Sequence, residues 1–474
     1  MTDPVSLLRR LGVSEPGDER DALLAELSDV TEHLIQSTGR GLDLNDHDLG
    51  GLDLSGANLR RCSLSRANLH STRLSRVILR EATMVCPGME RTDLTEADLT
   101  HAYVHALAAQ TCSFDRTDLS GLRDATGTLF HGCSMRGARL GGSHLAGSSF
   151  YQCDLTGAVL DGANLQGSLV NECLLTDAQL RGALMDQVTF VKVGLARTDL
   201  SGAVGTGFAI IRPTATDGLR LAEARLSGLR LYTVRGTGWE AQRMTAPDAD
   251  LTDVTLSSPT FAWADFTRSM WRSVSMSDAD LKAVALTDAK MTGCTLLGAD
   301  LSQAHAENLN LVECDLSDAD LSHVAARCLT ARDVNLTRAD LSHANLYRAM
   351  LTGDPPKAMS LRQARLQNTV LVQAYLAANL CEADLTGAAA AYSRFSQSCL
   401  DGAILDGAGM HESTWVKASF VGASLANVKP PVFADRCAGL LEAAEKTGGE
   451  TADEFSSYLR GLSELLGKAR RGST

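Results

Sequence analysis

A large apolar residue returns at every fifth position through most of this chain. From Gly41, the reading GLDLNDHDLGGLDLSGANLRRCSLSRANL begins a run with Leu at 44, 49, 54, 59, 64, 69 and 74. The spacing continues through Leu79, Met84, Met89, Leu94, Leu99, Val104, Ala109, Phe114 and Leu119. Two residues before each anchor the side chain is usually small, as at Ala57, Cys62, Ala67 and Ala97. The residue just before the anchor is often Asp or Asn, as at Asn58, Asn68, Asp93 and Asp98. Further runs span Phe130 to Leu200, Leu221 to Leu231, Leu251 to Leu351, Leu361 to Leu376 and Leu380 to Leu425. Roughly 69 such pentads cover nearly three quarters of the chain.

A period of five fits neither the helical 3.6 nor a long flat strand's 2. Within each pentad, two inward positions one residue apart make a short strand alternation. The other residues supply turn chemistry and face out. A chain that bends inward after every such unit coils around a narrow core, which leaves room for one large and one small side chain per unit.

Five places depart from the pattern. One residue is inserted between Leu119 and Phe130, and one is missing between Leu376 and Leu380. The stretches 206–220 and 232–250 abandon the motif, and Pro355 and Pro356 interrupt 352–360. Proline cannot donate to a ladder. The ends are helical in pattern. Asp3 caps a first helix with Pro4 at its start and Gly12 past its end. Leu23, Leu27, Val30 and Leu34 mark a second helix over about 18–36. At the other end, helices are expected at 433–446 and 451–470, the latter opened by Thr451 and Glu454 and striped by Phe455, Leu459, Leu462 and Leu466. The expected organisation is therefore a helical cap over 1–40, a first coil over 41–205, an irregular seam of loops over 206–250, a second coil over 251–426, and a helical cap or dimerisation segment over 427–474.

The triplets ADL at 97–99, 279–281, 299–301, 319–321, 339–341 and 383–385, and ANL at 57–59, 67–69, 163–165 and 344–346, stand in one register. In these the chain resembles the pentapeptide-repeat protein family, whose motif is A-(D/N)-L-x-x. The resemblance implies an all-β fold, a right-handed quadrilateral parallel β-helix with four pentads to a turn and short helices at both ends. It also implies a homodimer through the C-terminal helices, as in some members.

Acidic residues outnumber basic ones by 57 to 44, for a net charge of −13. That excludes a sequence-independent nucleic-acid binder, which needs a basic footprint. No run of apolar residues reaches the roughly 18 that a membrane helix needs. The first ten residues show no export signal, so a cytoplasmic protein with reduced thiols is expected.

Cys133, Cys153 and Cys173 are spaced by one expected turn, as are Cys294 and Cys314, and all five fall two before an anchor. They read as a stacked core ladder, because cysteine fits where alanine fits. Cys62 and Cys112 hold the same inward position. His323 and His343, also a turn apart, and the loose pair His101 and His105 lack the further ligands a zinc site requires. No phosphate loop, nucleophile elbow or zinc-protease motif is present. No catalytic residue, metal or cofactor is assigned. Trp271 and Trp415 fall on anchors. Trp263 falls outside the core positions, and Trp239 lies in the irregular stretch near Arg235 and Arg243. Exposed Trp with Arg is a common interface composition, so Arg235, Trp239, Arg243 and Trp263 are the candidate partner contacts.

Two classes of function compete. The first is a non-catalytic scaffold that docks a protein partner, as repeat proteins commonly do. The second comes from the resemblance, since some members imitate duplex DNA, bind DNA gyrase and protect it from antibiotics. Residues 41–425 hold 42 acidic and 33 basic residues, an excess of 9. That is far below the one charge per ~1.7 Å of duplex DNA. An accessory role in a biosynthetic or modification pathway is the remaining alternative.

Overall fold

The computed structural model describes residues 3–353 and 359–428. The expected C-terminal helices and the Pro355–Pro356 interruption lie outside these residues. The chain divides into two compact units, Met1–Glu240 and Ala241–Thr474.

In the first unit, two helices precede a parallel β-helix. Helix α1 (Pro4–Val13) is capped by the Asp3 carboxylate, which accepts the Ser6 N–H at 3.1 Å. It runs past Gly12, the expected stop, because a Cβ there would meet Leu52 at 2.8 Å and the bare backbone lets the helix close on the coil. Helix α2 (Asp18–Thr38) ends on Gly39 in the left-handed conformation. Arg20 ties both helices to the first coil. Its guanidinium donates to the Leu11 carbonyl at 2.9 Å, to the Asp53 carboxylate at 3.1 Å and to the Ser55 carbonyl at 3.1 Å. The Gly12 carbonyl accepts the Asp53 N–H, and the Thr31 hydroxyl donates to the Asn58 carbonyl.

From Gly41 the backbone closes a turn every 20 residues. Asp43 pairs with Ser63, Asp48 with Asn68, Asp53 with Arg73 and Asn58 with Ile78, so each turn has four walls. Every pairing is parallel, and each rung is bonded to the rungs before and after it. Anchor and small residue point inward together and are buried, as with Ala57 and Leu59 or Ala97 and Leu99. The core is filled side chain against side chain. Two voids inside it measure about 10 Å³, near Met84–Phe130, and about 20 Å³, near Leu286–Leu346, at most one water each.

At each corner the residue two after the anchor adopts a positive φ, for example 55° at Arg61, 58° at Arg66 and 58° at His323. This conformation is uncommon for non-glycine residues. A hydrogen bond to the next turn holds it, Arg66 N–H to Val85 at 2.8 Å and Arg61 N–H to Arg80 at 2.9 Å. The Asp or Asn before the anchor fixes the same corner. Its Oδ1 accepts the N–H two residues on, as Asp98 does from Thr100 at 3.0 Å and Asp300 from Ser302 at 2.8 Å. This is the physical reason for the D/N of the repeat.

Single-residue changes of register are absorbed at corners. Ser113 pairs with Ser134 and Asp118 with Arg139, 21 residues apart, which places the insertion inside 119–130. Gly194 pairs with Ala215, also 21 apart. In the second unit Ser360 pairs with Asn379, 19 apart.

Residues 206–250 differ from the loops expected there. They are wound into the coil, with strands at Ala209–Ile211, Arg225–Ser227 and Arg230–Thr237 in the first unit, and Asp250–Ser257 opening the second. The five-residue phase continues through Leu231, Gly236, Ala241, Ala246 and Leu251. It is hidden because three of these anchors are small. The lost volume returns at the position before: Trp239, two before Ala241, is 1 % exposed. Its indole N–H donates to the Thr216 hydroxyl at 3.1 Å. A Cβ on Gly236 would lie 2.8 Å from that indole nitrogen and 2.1 Å from the Thr216 hydroxyl. The usual small–large order is thus reversed at Val234–Gly236, Trp239–Ala241 and Met244–Ala246.

Replacing Trp239 by Ala removes the compensating volume and should cost ~3–5 kcal/mol. Gly236→Ala should also destabilise, because the new methyl has no space. Chemical denaturation of each variant against the parent checks both.

Candidate functional site

With the interior filled, the chemistry available to other molecules lies on the walls. Two positional rules govern it. Corner residues stack on corner residues one turn away. Arg66 meets Asp46, Arg197 meets Asp177 and Arg338 meets Asp318, with nitrogen–oxygen distances of 2.6 Å for each Nε–Oδ1 contact. These hydrogen bonds hold the three carboxyls below the ordinary carboxylate range. Residues flanking the anchors pair 18 apart, as Arg136 does with Asp154 at 2.6 Å and Arg181 with Asp199 at 2.7 Å. Burial raises the Asp199 carboxyl, but hydrogen bonds from Ser201 and Arg181 outweigh it and the net shift is downward. Ten carboxylates of the first unit are paired in this way with an arginine on a neighbouring turn.

Cys112 to Cys173 stack on the inner side of one wall of the first unit, and Cys294 and Cys314 on the inner side of one wall of the second. Cys133, Cys153, Cys173, Cys294 and Cys314 are all buried, and Cys112 extends the first stack to four rungs. Each thiol donates to the carbonyl of an anchor one turn back, Cys153 to Phe130 and Cys173 to Phe150 at 3.4 Å, Cys314 to Met291 at 3.5 Å. Thr72 and Thr92 do the same to Leu49 and Leu69. The inner position thus accepts any small group able to satisfy that carbonyl. Burial pushes the Cys62 thiol up to about 12, and the hydrogen bond shared with Cys133, together with burial, raises Cys112. Protonated and enclosed, these two thiols are poor nucleophiles and poor ligands. Cys381 and Cys399 depart from the expected reduced state. They face outward 18 residues apart and are joined as a disulfide, Cα–Cα 5.6 Å.

The four candidate contact residues separate. Trp239 is a core residue and has no surface to offer, which corrects its reading as a contact; its indole fills the space beside Gly236. Arg235 is exposed in the first unit, and its carbonyl accepts the Thr216 hydroxyl at 2.7 Å. In the second unit Trp263 is 56 % exposed, and the Arg243 guanidinium lies 6.0 Å from its ring centre. Trp271 and Trp415 are buried, their indoles donating to Ser269 and Ser413.

Beside Trp263 runs a feature that sequence reasoning left in four separate triplets. Asp280, Asp300, Asp320 and Asp340 pair rung on rung, one carboxylate per turn. Each uses Oδ1 to fix its own corner. Asp340 is bridged to Arg365 at 3.3 Å, whereas Asp280, Asp300 and Asp320 carry no ion pair among the described residues. The 20-residue spacing of these aspartates was the available signal. His323 and His343 stack on the adjoining corner, ring centres 4.8 Å apart and 4° from parallel. His105 instead lies 3.3 Å from Asp124, and His101 stands elsewhere against Gly121. Among the described residues no group of three or more His, Cys, Asp or Glu converges on a metal-sized site.

A family model described as pentapeptide repeats matches in eight copies, at residues 43–84, 133–170, 261–298, 296–327, 332–353 and 377–407. This chain is a pentapeptide-repeat protein. No curated protein sequence matches it at a significant level. Among solved structures, it is similar to QnrB1, a plasmid-mediated fluoroquinolone resistance protein, at 18 % identity over 41 % of this chain and 97 % of that one, TM-score 0.27. It is also similar to HetL, a pentapeptide-repeat protein involved in heterocyst differentiation regulation in the cyanobacterium Nostoc sp. strain PCC 7120, at 18 % identity over 70 % and 91 % of the two chains, TM-score 0.15. A third is Rfr23 of the cyanobacterium Cyanothece 51142, at 22 % identity over 36 % and 90 %, TM-score 0.12. Among the described residues of this pentapeptide-repeat protein, no helix is long and apolar enough to cross a membrane.

Two measurements test the wall chemistry. Brief alkylation of the native protein followed by peptide mapping should label exposed Cys86 and Cys328 and spare Cys133, Cys153, Cys173, Cys294 and Cys314. Asp199→Asn should destabilise at pH 7 by ~1–3 kcal/mol. Because the folded Asp199 carboxyl titrates below its unfolded value, the stability it adds is present above that unfolded value. It is lost as the pH falls through the folded one, so parent and variant should converge in acid.

Proposed function

We propose that this pentapeptide-repeat protein is a non-catalytic scaffold that holds a partner protein against its outer walls. The observation that carries this reading is the exposed Trp263, stacked with Arg243, at the head of the unpaired row Asp280–Asp300–Asp320. An aromatic anchor beside an arginine is the composition that concentrates binding energy in interfaces. The adjoining row of like charges draws basic surfaces and sets the orientation of approach. A core with no room for substrate supports a binding role over catalysis. Trp263 and Arg243 lie at outward positions, so they can be changed without touching the core. The partner fitting this wall is a basic protein surface with a slot for an indole.

The aspartate row also favours a second reading, imitation of a nucleic-acid backbone toward an enzyme such as DNA gyrase. Its rungs repeat at the strand spacing of ~4.8 Å, close to the 3.4 Å per phosphate along one DNA strand. The row is short, however, and arginines on neighbouring turns pair with ten carboxylates of the first unit, so its walls fall well below the charge of duplex DNA. The scaffold reading is therefore preferred.

Affinity capture with cross-linking from the native cell should recover a stable partner. Trp263→Ala or Arg243→Ala should weaken its retention by at least tenfold with the circular dichroism unchanged. Recovery of the same partner by both variants sinks the Trp263 assignment. Inhibition of gyrase supercoiling that disappears in Asp280→Asn/Asp300→Asn/Asp320→Asn would instead establish mimicry.

A further inference from the structure

A concavity of the first unit lies on the wall that begins at Leu49. It is an open depression of about 530 Å³. Its cause is local. Gly88 and Ala108 follow one another at the same outward position, between Asn68 below and Leu129 above. Two successive rungs without a long side chain open a gap of three strand spacings, ~14 Å. The floor is apolar, formed by Gly88, Ala108 and the edges of Met89 and Ala109. Leu129, 39 % exposed, closes one end. The side is lined by His70, Glu90, Gln110 and His131.

Glu90 lacks the close ion pair that several glutamates of this unit make. Glu81, Glu96 and Glu172 each hold an arginine or lysine at 2.9 Å. The partners of the Glu90 carboxylate are His70 Nδ1 at 3.5 Å and the Nε of neighbouring Arg91 at 3.8 Å. A carboxylate held this loosely at the edge of an apolar floor is complementary to an incoming cation. Further along the wall, the outward strand residues from Ala108 to Ile211 include no Asp, Glu, Lys or Arg. Charge beside these strands is confined to the corners, at the Glu172–Lys192 pair and Arg212.

We propose that this depression receives an arginine side chain presented by a partner protein lying along this wall. The inference rests on the scaffold reading but uses a different wall. The guanidinium is planar and forked. It pairs with Glu90, stacks on the imidazole of His70 one rung away, and lays its aliphatic stem over Ala108 and against Leu129 beside His131. A lysine ammonium satisfies the charge and leaves the flat walls unused.

The test uses N-acetyl-arginine N-methylamide as probe, with the lysine and citrulline analogues beside it. Binding is followed through the His70 and His131 ring resonances at pH 8. The arginine probe should shift both rings saturably in the millimolar range. The lysine analogue should bind several-fold more weakly, and citrulline, which has the same shape without the charge, at least tenfold more weakly. Glu90→Gln should weaken the arginine probe at least tenfold. Gly88→Leu should abolish binding by filling the depression. A Cβ at Gly88 meets only the Ala67 carbonyl at 4.0 Å, so the fold tolerates it, and Ala108→Leu provides a second blocking variant. Equal binding of arginine and citrulline overturns the proposal, as does unchanged binding in Gly88→Leu and Ala108→Leu, or no shift at all. The measurement needs only this chain, so its failure leaves the Trp263 wall untouched, and loss of the Trp263 partner leaves this site standing.

Discussion

The narrow bore of the coil is the constraint from which the remaining features follow. Each rung has space for one large and one small inward side chain, and every turn must return to register so that its backbone groups meet those of the next. Buried peptide groups left unpaired are costly, so the 20-residue closure is enforced on four walls at once. The inner positions answer to volume and to one waiting carbonyl. Alanine, serine, threonine and cysteine are interchangeable there, and thiols such as Cys153 are structural for the same reason that Thr72 and Thr92 are.

This constraint separates core from wall sharply. A residue flanking an anchor touches its counterparts one turn up and down and nothing else of consequence. Charges placed at those positions either meet a partner on the next turn, as Arg197 meets Asp177, or repeat unopposed, as Asp280, Asp300 and Asp320 do. The first arrangement contributes modestly to stability, because exposed ion pairs are individually weak. The second fixes its corners through Oδ1 but sets like charges one rung apart, a cost that the scaffold tolerates.

The five-residue anchors and the aspartates that fix the corners were legible in the chain before any coordinates, because volume and turn chemistry act within one pentad. Trp239 was not. It was sought on the surface because its neighbours Gly236, Ala241 and Ala246 are too small to announce themselves as anchors. Only the pairing of an oversized residue with undersized ones on adjacent rungs restores the phase through 232–250. The depression at Gly88 and Ala108 escaped for a different reason. Its members are separated by whole turns, and neither residue is unusual alone. The aspartate row and the cysteine stack share a 20-residue spacing, yet the cysteines attract notice by rarity while aspartate is hidden by its abundance in the motif.

The helices that open the chain close off a surface of another kind. Gly12 accepts the Asp53 N–H, Thr31 donates to the Asn58 carbonyl, and Arg20 holds the lid in place. Without that lid, the unpaired backbone groups of the starting coil would be a template on which a strand of another chain could continue the ladder. The two helices guard that edge as charges and bulges guard the edges of open sheets.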